Sequence, residues 1–139
     1  MSTSSDPLPA KAPLPNSETQ RFWDATAEGR IELPRCDACS LVVWYPRAHC
    51  PGCQSTALTW ETLSGRGTVY SYTVARSGAS RRWREHLPYV VAYVRLDEGP
   101  TLLTNVVGCG PDDVEIGLPV VAVFDDTGEG SALVRFRPA

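Results

Sequence analysis

The sequence predicts a mainly β protein: one N-terminal helix, a four-cysteine knuckle module, and a small closed barrel towards the C-terminus. Three observations carry this. Four cysteines fall in two pairs, a C-x2-C-x10-C-x2-C array from Cys36 to Cys53. One helix-spaced segment, around Phe22 and Trp23, precedes them. Everything after residue 57 is alternating, β-branched or aromatic, cut by Gly, Pro and Asp turns, with no helical segment between.

Residues 1–15 carry four prolines and three serines and little to bury, so a disordered leader is expected there. Met1 to Lys11 lacks the apolar core of a signal peptide, which points to a reducing, cytoplasmic setting. Asn16 or Ser17 can cap a helix running to about Glu28, with Phe22, Trp23 and Ala27 on one face and Gly29 as terminator. Ile31-Glu32-Leu33 reads as a short strand entering the first cysteine pair. Val42 to Pro46 reads as a strand between the pairs. Helix and cysteine module together take residues 16–56, and the barrel takes 57–139.

In the barrel region, strands are expected at Leu58–Leu63, Thr68–Ala75, Tyr89–Leu96, Thr101–Val107, Pro119–Phe124 and Ala132–Phe136. Gly65 and Gly67 permit a sharp bend into the second of these. Five or six short strands with turns between them suggest a closed Greek-key barrel. Tyr70, Tyr72, Tyr89, Tyr93 and Trp83 exceed what a small core needs, so some are expected on an interface.

Two residues between thiolates let a tight turn aim both sulfurs at one point. Two such turns make a tetrahedral cage suited to Zn²⁺, held by Cys36, Cys39, Cys50 and Cys53. Disulfides are disfavoured in a reducing compartment, and a redox C-x-x-C would stand alone rather than doubled. Four thiolates leave no position for water or substrate, so such a zinc staples the chain and does no chemistry.

The net charge of −3 gives no general attraction to nucleic acid or anionic lipid. No apolar run approaches the ~18 residues that cross a membrane. The distribution of charge says more. Arg66 to His86 holds five arginines and one glutamate, whereas Asp97 to Ala139 holds eight acids and two arginines. The connection Arg76 to Pro88 is long for a hairpin and sets four arginines around Trp83. Such a loop can grip phosphate.

Other candidate chemistry is weaker. His49 abuts Cys50, but four cysteines already suffice as ligands. His86 lies among arginines that oppose its protonation. Cys109 is better read as a small buried residue than as a nucleophile. The Gly65-x-Gly67 turn precedes a strand, not the helix that dinucleotide binding needs.

In its order of motifs the chain resembles the DUF35 proteins, an acyl-CoA-associated OB-fold with a rubredoxin-like zinc ribbon. The likeness rests on Phe22-Trp23, the four cysteines, Gly65 to Val74, Leu87 to Ala92, Asp97 to Pro100, Leu103 to Cys109 and Ile116 to Val120. It implies a C-terminal OB-fold β-barrel and an accessory, non-catalytic role. The implied partner is a separate thiolase-superfamily enzyme (aldolase, thiolase or ketosynthase) or a MaoC-type hydratase. The implied assembly is an α2β2 heteromer that shapes a path for acyl-CoA. The loop arginines inherit no role from the family; their local charge suggests that Arg81, Arg82 and Arg84 contact CoA phosphates. Two further readings stand beside this one: a single-stranded nucleic-acid-binding OB/zinc-ribbon protein, against which the acidic C-terminal third argues, and an enzyme using Cys109 or His86.

Overall fold

Asn16 begins the first built turn, because its side-chain oxygen accepts the backbone N–H groups of Glu18 and Thr19, both at 3.0 Å. The computed structural model describes residues 8–139. Helix α1 (Gln20–Ala27) follows this turn and buries Phe22, Ala25 and Thr26, rather than Ala27. Gly29, at φ 76°, ends it while the Arg30 N–H donates to the Ala25 carbonyl at 3.0 Å. That is the left-handed stop a glycine supplies.

Strand β1 (Glu32–Cys36) pairs antiparallel with β2 (Leu58–Thr62), from Glu32 opposite Thr62 to Cys36 opposite Leu58. This corrects the expectation that the strand at Leu58–Leu63 belongs with the barrel strands. Leu58–Thr62 closes the ribbon sheet and takes no place in the barrel. The pairing is reinforced across the strands by Arg35, whose guanidinium meets Glu61 at 2.7 Å. Val42–Pro46 does not form the expected strand either: Val42 alone bridges to Arg35. Trp44 and Tyr45 turn instead onto the helix, edge-to-face with Phe22 at 5.3 and 6.2 Å. Trp23 Nε1 donates to the Tyr45 hydroxyl at 2.7 Å. Edge-to-face aromatic contact with α1, with Trp44 half-buried and Tyr45 exposed, thus replaces ladder hydrogen bonds in a stretch that ends in proline.

The barrel is closed by five strands in the order β3-β4-β5-β7-β6. They are β3 (Arg66–Ala75), β4 (Tyr89–Leu96), β5 (Thr101–Val106), β6 (Pro119–Asp126) and β7 (Ala132–Pro138). Gly67 is required by close approach: a Cβ there would collide with the Arg95 carbonyl. The β3–β4 register slips between Val69 and Ser71, which leaves Tyr70 as a bulge residue. Closure is a short parallel seam, Val106 opposite Phe136. The Thr104 hydroxyl strengthens it by donating to the Val134 carbonyl at 2.8 Å. One apolar cluster runs from Phe22, Ile31, Leu33 and Leu63 into Val69, Val94, Leu102 and Phe136, so ribbon and barrel share a core.

The expected disordered leader divides. Residues 1–7 lie outside the described residues. Leu8 and Pro9, within the span expected to be unstructured, offer their carbonyls to Arg135 on β7, at 3.2 and 2.5 Å. Composition alone suggested a free tail, whereas a buried guanidinium needs acceptors and finds them there. Among the described residues no helix is long and apolar enough to cross a membrane.

Candidate metal centre

Both cysteine pairs sit in the same backbone knuckle. In the first, the Cys36 N–H donates to the Leu41 carbonyl at 2.8 Å and the Ser40 N–H to the Cys36 carbonyl at 2.9 Å. In the second, Cys50 N–H donates to Ser55 and Gln54 N–H to Cys50, each at 2.8 Å. Ser40 and Gln54, each four residues after the leading cysteine, take the same left-handed turn, φ 67° and 69°. Two copies of one local geometry therefore face each other.

Their four sulfurs all lie within 4.8 Å of one another, close enough to hold a metal ion. Cys36 and Cys53 approach to 3.5 Å, as do Cys39 and Cys50. Zn–S bonds of ~2.3 Å put tetrahedral sulfurs ~3.8 Å apart, so the cage has the size a Zn²⁺ needs. Cys36 and Cys50 are buried, Cys39 and Cys53 exposed, so the centre faces the surface on one side only. A Cβ on Gly52 would meet Leu41 at 3.3 Å, which keeps the second knuckle tight against the first.

The thiols of Cys36, Cys39 and Cys53 do not ionise alike. The Cys39 backbone N–H, first among several donors, brings the Cys36 thiol down to about 7. The Leu41 N–H favours the Cys39 thiolate, but the neighbouring sulfurs, Cys50 foremost, outweigh it and push that thiol up to about 12. Cys53 is likewise raised: the Ser55 N–H lowers it, and the sulfur of Cys36 leads the opposition. Four thiolates at this spacing need a cation to coexist, which a divalent ion supplies.

Arg81, Arg82 and Arg84 are exposed and form no ion pair among the described residues. A short 3₁₀ turn, Arg84–His86, shapes the loop's end. Trp83 turns inward against Tyr89, ring centroids 4.7 Å apart. His49 is half-buried beside the cage. The His86 Nδ1 is buried without a hydrogen-bond partner. Cys109 is half-buried against the core; burial first, and the Asp113 charge second, push its thiol up. That suits a packing residue rather than a nucleophile.

Arg135 was not legible as special. Its side chain is 3% exposed and meets Asp125 at 2.5 Å. Its guanidinium carbon lies 5.9 Å from the centroid of the Trp83 ring. It thus joins the N-terminal segment, β6 and the arginine loop. In the sequence it occupies an ordinary outward strand position, and only distant segments bury it.

Two family models match the chain: "ChsH2, rubredoxin-like zinc ribbon domain" over residues 23–59 and "ChsH2, C-terminal OB-fold domain" over residues 60–125. A DUF35 domain-containing scaffold protein of Methanothermobacter thermautotrophicus is 35% identical over 111 residues, covering 78% of this chain and 82% of the relative. A probable enoyl-CoA hydratase alpha subunit of Thermomonospora curvata is 39% identical over 129 residues, which is 91% of this chain. The chain spans only 39% of that relative's length. Among solved structures, a chain described as "Ltp2-ChsH2(DUF35) aldolase" superposes with a TM-score of 0.80 at 37% identity. The overlap covers 91% of this chain and 98% of that one.

Proposed function

Because this chain belongs to the DUF35 family and matches zinc-ribbon and OB-fold family models, we propose that it is a non-catalytic accessory subunit of an acyl-CoA enzyme complex. The partner in this reading is a thiolase-superfamily enzyme (aldolase, thiolase or ketosynthase) that keeps the catalytic residues. This chain helps to form its acyl-CoA channel and steadies the complex. The observation that carries the reading is the 37% identity, over 98% of its length, to a chain described with an Ltp2–ChsH2 aldolase. A hydratase partner is the second reading, favoured by the Thermomonospora relative's name.

Zinc is the cofactor, and Cys36, Cys39, Cys50 and Cys53 are its proposed ligands. A closed thiolate shell supports a structural rather than a Lewis-acid role. The heteromer is proposed as two copies of each chain. Arg81, Arg82 and Arg84 are proposed to stand near the mouth of the CoA path, where exposed guanidinium groups attract phosphate.

Co-expression tests this. Each chain is assayed alone and together, then with Cys109→Ala and His86→Ala. The isolated chain should turn over no acyl-CoA, and both variants should support full turnover in the complex. Turnover by the isolated chain, or its abolition in an intact complex by either substitution, would refute the reading.

A further inference from the structure

The outside of the barrel is covered unevenly. On the β6–β7 side the protein covers itself. Helix α1 packs there, with the Thr26 hydroxyl accepting the Ala132 N–H at 3.0 Å. The N-terminal segment and Trp83 bury Arg135 on the same side. On β3, β4 and β5 the outward side chains have no such cover.

Large apolar groups collect on that bare half. Tyr93 on β4 stands opposite Leu103 on β5 and Ser71 on β3. Tyr93 is 48% exposed and Leu103 61%. Tyr70, on the bulge beside Ser71, is 52% exposed. The Gly117 N–H donates to the Val69 carbonyl at 2.8 Å, which brings the Ile116 turn alongside Tyr70. Ile116 is 71% exposed. Leu103, Tyr93, Tyr70 and Ile116 thus form a line across the sheet.

Charge selects the occupant. Arg95, opposite Thr101 and Thr68, lays its guanidinium 4.4 Å from the Tyr70 ring centroid. It forms no ion pair among the described residues, and no outward position of these three strands is acidic. A covered, unpaired cation is costly, so whatever covers this face must bring a carboxylate. A second copy docked through the same strands would bring the same acid-free positions, so it offers Arg95 no carboxylate from them; Glu115 lies off the strands, next to Ile116. Single-stranded nucleic acid would stack on Tyr70 and Tyr93. However, Leu103 and Ile116, the most exposed of the four, offer no π-face, and two arginines, Arg66 and Arg95, track few phosphates.

We propose that the outer face of β3–β4–β5, centred on Tyr93 and Leu103, is the surface on which the partner enzyme docks. The partner presents an apolar patch there with a carboxylate facing Arg95. This rests on the accessory-subunit reading. It adds to it the face used and the chemistry of the partner's patch.

The test uses the full chain, co-expressed with each thiolase-superfamily enzyme and MaoC-type hydratase encoded in the same genome. Tyr93→Asp and Leu103→Asp should each weaken the complex on the order of a hundredfold, as loss of a central anchor does. Arg95→Glu should weaken it about tenfold and flatten its salt dependence. Leu14→Asp, far from the face, should change nothing. Hydrogen exchange on the wild-type complex should show new protection over Tyr89–Val106, a readout that needs no variant to fold. Wild-type affinity in all three face variants, or no new protection there, overturns the docking face and leaves the accessory reading standing. Failure of the wild-type chain to bind any such enzyme overturns both. Dimerisation of the isolated chain that Leu103→Asp abolishes, or dT20 binding that Tyr93→Asp abolishes, assigns the face to a copy or to nucleic acid and overturns the proposal.

Discussion

Cys36 shows how much one residue carries. It ends β1, starts the first knuckle and supplies a buried sulfur to the cage. Cys36→Ser should lower bound zinc well below one per chain and melt the ribbon, since the metal's binding energy is folding energy there. Elemental analysis with near-UV circular dichroism checks both. Glu32 makes a different prediction. Burial pushes its carboxyl up, but hydrogen bonds from Arg21 and Arg30 outweigh that and hold it below the usual carboxylate range. Its folded value is therefore depressed. Its contribution to stability is present above the unfolded value of ~4.3 and is lost as pH falls through the folded one. Denaturant melts of wild type and Glu32→Gln should converge in slope below that window, with the variant flatter within it.

At the scale of elements, the N-terminal segment and the arginine loop are joined through Arg135. Deleting residues 1–15 removes two carbonyl acceptors from that guanidinium. The expected cost is ~1–2 kcal/mol, or about 3–6 °C in Tm. In an Arg135→Met background the same deletion should cost almost nothing more, because the coupling partner is gone. Equal losses in both backgrounds would show that the segment is held elsewhere. The loop has its own test. Replacing Arg81, Arg82 and Arg84 together with Ala should raise the complex's apparent KM for acyl-CoA, more at low salt than at high. Unchanged kinetics at both ionic strengths would leave these arginines as solvated surface.

For the whole molecule, the shared core matters most. Leu33 from the ribbon and Val69 from the barrel belong to one buried cluster, so loss of zinc should be felt beyond the ribbon. Chelation should therefore lower the barrel's melting temperature as well, which amide exchange of Val94 and Leu102 can read. An unaffected barrel would mean two independent units. Among the described residues, self-covering on the β6–β7 side and bareness on β3–β5 leave the barrel an exposed apolar face, which suits the proposed accessory role.

The local chemistry was determined by the sequence alone. Paired cysteines specify the cage, and Gly29 stops the helix. The alternation of Tyr89–Leu96 matches β4 in full, because a strand half buried in a barrel must alternate. The DUF35 likeness was legible for the same reason: its motifs are turns and knuckles that short spacings encode. Contacts between distant segments were decided only by the tertiary structure. Leu58–Thr62 alternates whether it joins the ribbon or the barrel, and its partner, Glu32–Cys36, settles which. Val42–Pro46 has strand composition, yet its aromatics are drawn onto α1. Arg135 reads as an outward residue until Leu8, Pro9 and Trp83 cover it. Periodicity reports which side of a strand a residue takes, whereas what lies against that side depends on where the rest of the chain packs.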